Sequence, residues 1–213
     1  FCMSSYLYRP LRETTIKELV NIALKTRENT NLNKITLIGA AVGDYYDLEG
    51  LTKALESEGF QIATPSLRID SLSRETLETL KKSGLKSITI APESISTLRE
   101  RINKSISDEK IFSVIKNAVD LDFNIKLYFL IGIPYESKED IEELANYIEK
   151  IANMHKNRNY IKFSINPVIP KPQTPLQWEV YNFKEIKSKT RYLKKKLRKY
   201  NVKFESPKKG LIQ

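Results

Sequence analysis

A single cysteine, Cys2, lies beside an aromatic residue in FCMSSYLYRPLRE and is the only thiol in 213 residues. A thiolate is a soft metal ligand or a nucleophile, so its surroundings decide its use. The other residues suited to chemistry sit where apolar runs end. These junctions read GAAVGD (39–44), SLRIDS (66–71), APES (91–94), GIPYES (132–137) and NPVIPKP (166–172). Among small residues they supply Arg68, Asp70, Glu93, Ser94, Glu136 and Asn166. Glu93 follows an apolar run and a proline. A carboxylate there is costly to bury without partners, so a ligand hydroxyl or amine is a reasonable partner. A structural ion pair with Arg68, at the neighbouring junction, is the alternative. Asp and Ser at such junctions also serve as plain helix caps, and Pro134 as a plain strand end.

These junctions belong to a regular alternation of strand and helix patterns. Apolar runs at 34–40, 60–65, 86–91, 124–131 and 160–166 predict strands, and NVKFES offers a last one. Between them, helical periodicity covers TTIKELVNIALKTREN, with Thr14 or Thr15 as N-cap, and 48–58, closed by Gly59. It continues over the stretch from Ser73 to Gly84, then 96–104, 108–122, the stretch opened by Ser137, and 183–200. Strands separated by helices imply right-handed βαβ crossovers and a parallel sheet, which predicts strands buried on both faces. An open doubly wound sheet and a closed or partial barrel both satisfy this pattern. PVIPKPQTPLQWE is proline-rich, and Leu176 and Trp178 predict that it packs over the sheet.

Composition narrows the function. One cysteine excludes an internal disulfide framework and fits a reducing cytoplasm. One cysteine and one histidine, His155, exclude a zinc constellation. No phosphate-binding G-x-x-x-x-G-K-[ST] loop and no G-x-G-x-x-G occurs. No apolar run approaches the roughly 18 residues of a membrane span, and no secretion leader is evident. Residue 1 is Phe, which predicts that the chain is a piece of a longer one. Much of the net charge of +10 lies in KSKTRYLKKKLRKY (187–200). Tyr192, Leu193, Leu197 and Tyr200 at helical spacing read this as a solvated helix face, with nucleic acid or another anion as the alternative partner.

Taken in order, the motifs resemble those of radical S-adenosylmethionine enzymes. FC resembles the end of their C-x3-C-x-Φ-C motif, with Phe1 as the aromatic Φ and Cys2 as the third cysteine. GAAVGD resembles the glycine-rich second-strand motif, APES the fourth-strand motif, and FLIGIPYES the Gly-x-Pro-x-Glu-[ST] element. YRPLRE, SLRIDSLS, ITIAPES, LRERINKSIS, KLYFLIGIPYE and INPVIPKPQTPLQWE are similar to a branch often fused to an upstream corrinoid-binding-like domain. The likeness spans nearly the whole chain. One departure is Ser94-Ile95-Ser96, where many relatives have Ala-Gly-Ser.

The resemblance implies an α/β fold: a partial (β/α)6 TIM-like barrel of the radical SAM type with its first strand missing. Residues 1–182 would form the core, and 183–213 a basic helix and short strand of a truncated extension. It implies a [4Fe-4S] cluster held by three thiolates, Cys2 among them, with the fourth iron open to S-adenosylmethionine. Reductive cleavage would give a 5′-deoxyadenosyl radical for hydrogen abstraction or for methyl or methylthio transfer. Gly39, Ala40, Ala41 and Asp44 would line the methionine end. Ser66, Arg68, Glu93 and Ser94 would meet ribose, carboxylate or substrate, and Ile131, Gly132 and Pro134 would flank the adenine. Tyr128 and Asn166 would face the mouth, and Glu93, Arg68 and Tyr128 are the catalytic candidates. An electron donor such as ferredoxin or flavodoxin is implied, a corrinoid is accommodated, and the substrate is open, with RNA among the options. The alternative is an RNA- or anion-binding barrel without cluster chemistry, with Arg9, Arg12 and Lys171 joining the basic helix. Sequencing upstream of Phe1 should reveal a cysteine three residues before Cys2 and another four before that. Their absence would remove the cluster role of Cys2.

Overall fold

The computed structural model describes residues 2–211 apart from Arg9, Ala40, Ala41 and Pro65. A short helix α1 (Ser4–Leu7) precedes α2 (Ile16–Thr30), β1 (Lys34–Thr36), α3 (Leu48–Ser57), β2 (Gln61–Ala63) and α4 (Arg74–Lys82). Then follow β3 (Ser87–Glu93), α5 (Ser96–Arg101), α6 (Asp108–Asp120), β4 (Asn124–Ile131), α7 (Lys138–Ala152), β5 (Ile161–Pro167), α8 (Phe183–Lys196) and β6 (Val202–Phe204). Every ladder is parallel: β1 pairs with β2, and β3, β4, β5 and β6 follow in that order. One hydrogen bond, from Leu67 N to Thr89 O at 3.0 Å, ties the segment after β2 to β3.

Local chemistry sets the helix starts. Thr15 and Glu18 form a reciprocal capping box on α2, as Ser137 and Asp140 do on α7. Ser73 and Ser107 cap α4 and α6 by accepting from Thr76 N and Lys110 N. The helices then bury one apolar stripe each. On α6 this is Ile111, Val114, Ile115 and Ala118, and on α7 Ile141, Leu144, Ala145, Ile148, Ile151 and Ala152. Those stripes pack with Ile88, Ile90, Ile125, Leu127, Phe129, Phe163 and Ile165 of the strands in one core. Burying each such side chain contributes about 1.5–3 kcal/mol.

The expectation of strands buried on both faces fails. β3 and β4 alternate between buried and half-exposed or exposed residues along their length. On β5 Lys162 and Asn166 break the burial, with Ser164 between them on the same face. The second face carries Thr89, Lys126, Tyr128 and Asn166, and among the described residues no helix stripe of the core packs on it. The strand expected at 34–40 closes at Thr36, because residues 42–44 wind into a 3-10 turn. The helix expected at 96–104 stops at Arg101, and Asn103 turns the chain with a φ of 55°. The basic helix ends at Lys196 rather than 200, although Leu193, Leu197 and Tyr200 are buried as an apolar stripe requires, while Tyr192 is exposed. NVKFES does yield a strand, β6, which extends the sheet beyond β5. In the proline-rich loop Leu176 packs on the core, but Trp178 is 85% exposed, because the 3-10 turn Pro175–Trp178 points the two in different directions.

Arg99 is the largest fully buried side chain. Its guanidinium donates to Ser94 O, to Ile106 O at 3.1 Å and to Asp108, and so ties the end of β3 to the start of α6. Arg99→Met leaves two buried carbonyls without donors and should cost about 3–5 kcal/mol of unfolding free energy in urea titration. A loss under about 1 kcal/mol would mean that water satisfies those carbonyls instead.

Candidate functional site

Glu93 ends β3 at a register shift between Ile90 and Glu93, where the strand bulges against β4. Bulges are common beside active sites, because they re-aim a side chain. Glu93 is also in the left-handed region, with a φ of 69°. A non-glycine residue there is strained and persists only where its surroundings hold it. Here the holder is Lys104, whose ammonium donates to Glu93 Oε1 at 2.7 Å and to Ala91 O at 2.7 Å. The glutamate side chain is 12% exposed. Burial pushes its carboxyl above the ordinary glutamate range, and the charge and hydrogen bond of Lys104 work against that.

The ion pair between Glu93 and Arg68 does not form. Arg68 forks between Asp44 Oδ1 and Asp70 Oδ2, each at 2.8 Å, and stays half exposed. Asp70 lies two residues along the chain, and the close approach of Gly43 to the Arg68 backbone brings Asp44 alongside. Gly43 makes this closure possible, since a Cβ there would stand 2.6 Å from Arg68 N. Two strand-end loops are therefore clasped together, with Gly39 and Ser66 exposed beside them. Ala40 and Ala41, expected to line the same site, lie outside the described residues, as do Phe1 and Arg9.

At the end of β4, Gly132 adopts a φ of 81° and donates its N–H to Glu136 Oε2 at 2.8 Å. Lys189, from α8, binds the same oxygen at 2.9 Å and the Glu136 carbonyl at 3.0 Å. The Glu136 side chain is fully buried, which raises its carboxyl, while Lys189 and the Gly132 N–H oppose the rise. A cavity of about 390 Å³ opens beside this pair, bordered by Pro134, Tyr135, Trp178 and Tyr181. The Ile131 side chain is buried in the core, so only its backbone reaches the strand end. Tyr128 and Asn166 do lie on the half-exposed face. Lys126 Nζ stands 4.6 Å from the Tyr128 ring, and Ser164 Oγ bonds Asn166 Oδ1 at 3.3 Å. Ser94 is apart from all of these, since its hydroxyl is fully buried and has no hydrogen-bond partner among the described residues.

Cys2 is exposed, and among the described residues no three His, Cys, Asp or Glu side chains gather as a metal site. These residues hence offer one thiolate and do not themselves complete a cluster. The donor set at the strand ends fits S-adenosylmethionine better: a poised carboxylate at Glu93, a half-exposed guanidinium at Arg68, and half-exposed Tyr128 and Asn166 on one face.

The model of the Radical SAM superfamily matches residues 1–148. The chain belongs to the radical SAM superfamily. It is 36% identical over 211 residues to an uncharacterized protein of Methanocaldococcus jannaschii, covering 96% of this chain and 45% of that protein. It is 25% identical over 161 residues to a cytidylyl-2-hydroxyethylphosphonate methyltransferase of Streptomyces wedmorensis, covering 70% of this chain and 30% of that one. The chain thus spans less than half the length of these curated relatives. Among solved structures it is similar to the radical S-adenosylmethionine methyltransferase TsrM of Kitasatospora setae, with a TM-score of 0.61 at 9% identity. That match covers 79% of this chain and 34% of TsrM and speaks to the fold alone. The architecture is a partial TIM-like barrel of the radical SAM superfamily, and the half-exposed strand face is its inner face.

Three residues central to these strand ends were not singled out from sequence: Lys104, Arg99 and Lys189. Lys104 and Arg99 both lie within LRERINKSIS, which had signalled family likeness without a role for either. Because burial raises Glu93, its carboxyl favours the folded state fully below the ordinary glutamate range and loses that contribution as pH climbs through its raised value. Lys104→Met removes the two influences that lower Glu93 and should move its titration further up. Carboxyl-carbon NMR reads both. A Glu93 titration at or below 4.5 in the unaltered chain would contradict this account.

Proposed function

We propose that this chain is the core of a radical S-adenosylmethionine enzyme and that Glu93 receives the cofactor's hydroxyls at the barrel mouth. The observation that carries the reading is the strained, bulged position of Glu93 at the end of β3, with its carboxylate kept in place by Lys104. Strain of that kind clusters at functional sites. A carboxylate already bound to one ammonium keeps a second oxygen with which to accept from a ribose hydroxyl. Arg68, its charge already met by Asp44 and Asp70, fixes the neighbouring loop and keeps further N–H donors for an oxygen of cofactor or substrate. Tyr128 and Asn166 would contact substrate from the inner face. Gly39 and Asp44 would line the methionine end, and Gly132 and Pro134 the adenine.

Cys2 would be one cluster ligand, the others lying upstream. When bound, the cluster supplies the electron that cleaves the sulfonium bond of S-adenosylmethionine. The residues of this chain bind, orient and shield. The corrinoid-associated branch is supported by likeness to the S. wedmorensis methyltransferase and, for the fold, to TsrM, whose structure holds cobalamin and a [4Fe-4S] cluster. A cytoplasmic setting with a ferredoxin- or flavodoxin-type donor follows from such a cluster. No described helix is long and apolar enough to cross a membrane. The rival reading, an RNA- or anion-binding barrel, draws on the exposed basic face of α8, where Lys187, Arg191, Lys194 and Lys195 point outward.

In the full-length protein, reconstituted anaerobically with its cluster, Glu93→Gln should weaken S-adenosylmethionine binding roughly tenfold, about 1.4 kcal/mol, by equilibrium dialysis. Unchanged affinity would take Glu93 out of the cofactor site.

A further inference from the structure

The inner face of the sheet holds an arrangement that packing does not explain. In register, Lys126 of β4 lies directly beside Lys162 of β5. Lys203 of β6 lies beside Ser164, one inner-face row further along β5. All three lysines are exposed. Neighbouring strands stand about 4.8 Å apart, and like charges directly opposite one another are destabilising. Among the described residues no salt bridge reaches any of the three. Lys126 leans over the Tyr128 ring, Lys203 feels Glu205, and Lys162 has no hydrogen bond or ion pair among the described residues. The one carboxylate among the described residues of β3 to β6 is Glu93 at the strand end, and Lys104 already neutralises it.

We propose that Lys126 and Lys162, with Lys203 beside them, bind the phosphate or diphosphate group of a small phosphorylated substrate. This rests on reading the inner face as the substrate's side of a radical SAM barrel. Three lysines on adjacent strands match a group of two or three negative charges better than a single carboxylate, and lysine binds phosphate as a point charge. The register also gives a length. Glu93 is level with Phe129, three residues along β4 from Lys126. At about 3.3 Å per residue the lysine pair lies about 10 Å below the mouth. A substrate anchored by its phosphate on the lysines would present a group about 10 Å away to the cofactor's side. The separation makes the lysines positioning residues, remote from any reacting atom.

The test uses inorganic pyrophosphate as probe and isothermal titration at low salt. It is made on the chain without cluster or S-adenosylmethionine, so its outcome does not depend on radical chemistry or on the Glu93 test. Saturable binding is expected. Lys126→Gln with Lys162→Gln should weaken it at least tenfold, whereas Lys126→Arg with Lys162→Arg should retain it. Lys187→Gln with Lys195→Gln, on the outer face of α8, should leave it unchanged. Lys162→Gln alone should melt no lower than the unaltered chain, because it removes a repulsion, while a structural lysine would lower the melting temperature. The proposal is overturned by absence of saturable binding, or by binding that survives the inner-face pair and is lost with the α8 pair.

Discussion

Where β3 bulges against β4 and ends, two cations from the segment that follows take carbonyls on either side of Glu93. Lys104 binds Ala91 O, and Arg99 binds Ser94 O. The rest of the site depends on this. The chain must bulge at Glu93 to bring those carbonyls round, and the bulge forces a glutamate into the left-handed region. A buried carbonyl without a donor costs about 1–3 kcal/mol, comparable to the strain of one such residue, so the cations and the strain are two sides of one local solution. Arg99 extends it further by reaching Ile106 O and Asp108, which fixes where α6 begins.

The same device recurs along the mouth at graded depth. Arg68 with Asp44 and Asp70 is about half exposed, Lys104 with Glu93 is 20% and 12% exposed, and Lys189 with Glu136 is 9% and 0% exposed. Depth separates their uses. Exposed pairs contribute little to stability and are screened by salt. The deepest pair is also tied to the backbone, because Glu136 Oε2 accepts the Gly132 N–H beside Lys189, while its Oε1 is buried without a partner among the described residues. The middle pair alone combines desolvation, which makes its charge matter, with enough exposure to meet a ligand.

Much of this was legible in the sequence and some was not, for physical reasons. Helix starts were plain because capping is local: Thr15, Ser107 and Ser137 each bond a backbone N–H three residues on. Strand positions were plain from apolar runs. The partners of Glu93 and Glu136 were hidden because the pairs close over 11 and 53 residues of chain, and only the fold selects among many lysines. The choice of Arg68 for Glu93 rested on neighbouring junctions, whereas Asp70 on its own loop and Asp44 on the clasped one take the guanidinium. The half-exposed inner face did leave a trace. IKFSIN (161–166) alternates apolar and polar residues without a break, and Lys126 and Tyr128 stand two apart in β4. Period-two alternation marks a strand with one wetted face, and the apolar count of the run obscured it.

That wetted face explains how the sheet tolerates its own unfavourable features. Its outer face is given over to packing, with Ile88, Ile90, Leu127, Phe129 and Ile165 buried against the helices. Each such side chain contributes about 1.5–3 kcal/mol, so the outer face can offset a strained glutamate and adjacent lysines on the inner one. If stability alone shaped the inner face, Lys162 beside Lys126 would be the first pair to lose its charge, since neither is buried nor bound to a carboxylate. Parallel pairing also makes every strand end point the same way, which brings the Glu93 mouth, the Arg68 clasp and Asn166 to one rim and leaves the lysines below it. Strand direction and a period of two are therefore enough to separate a rim of ion-paired side chains and Asn166 from lysines below it that no described carboxylate bridges. A molecule lying along the strands meets compensated charges at one end and uncompensated cations at the other, and that polarity follows from the backbone before any ligand binds.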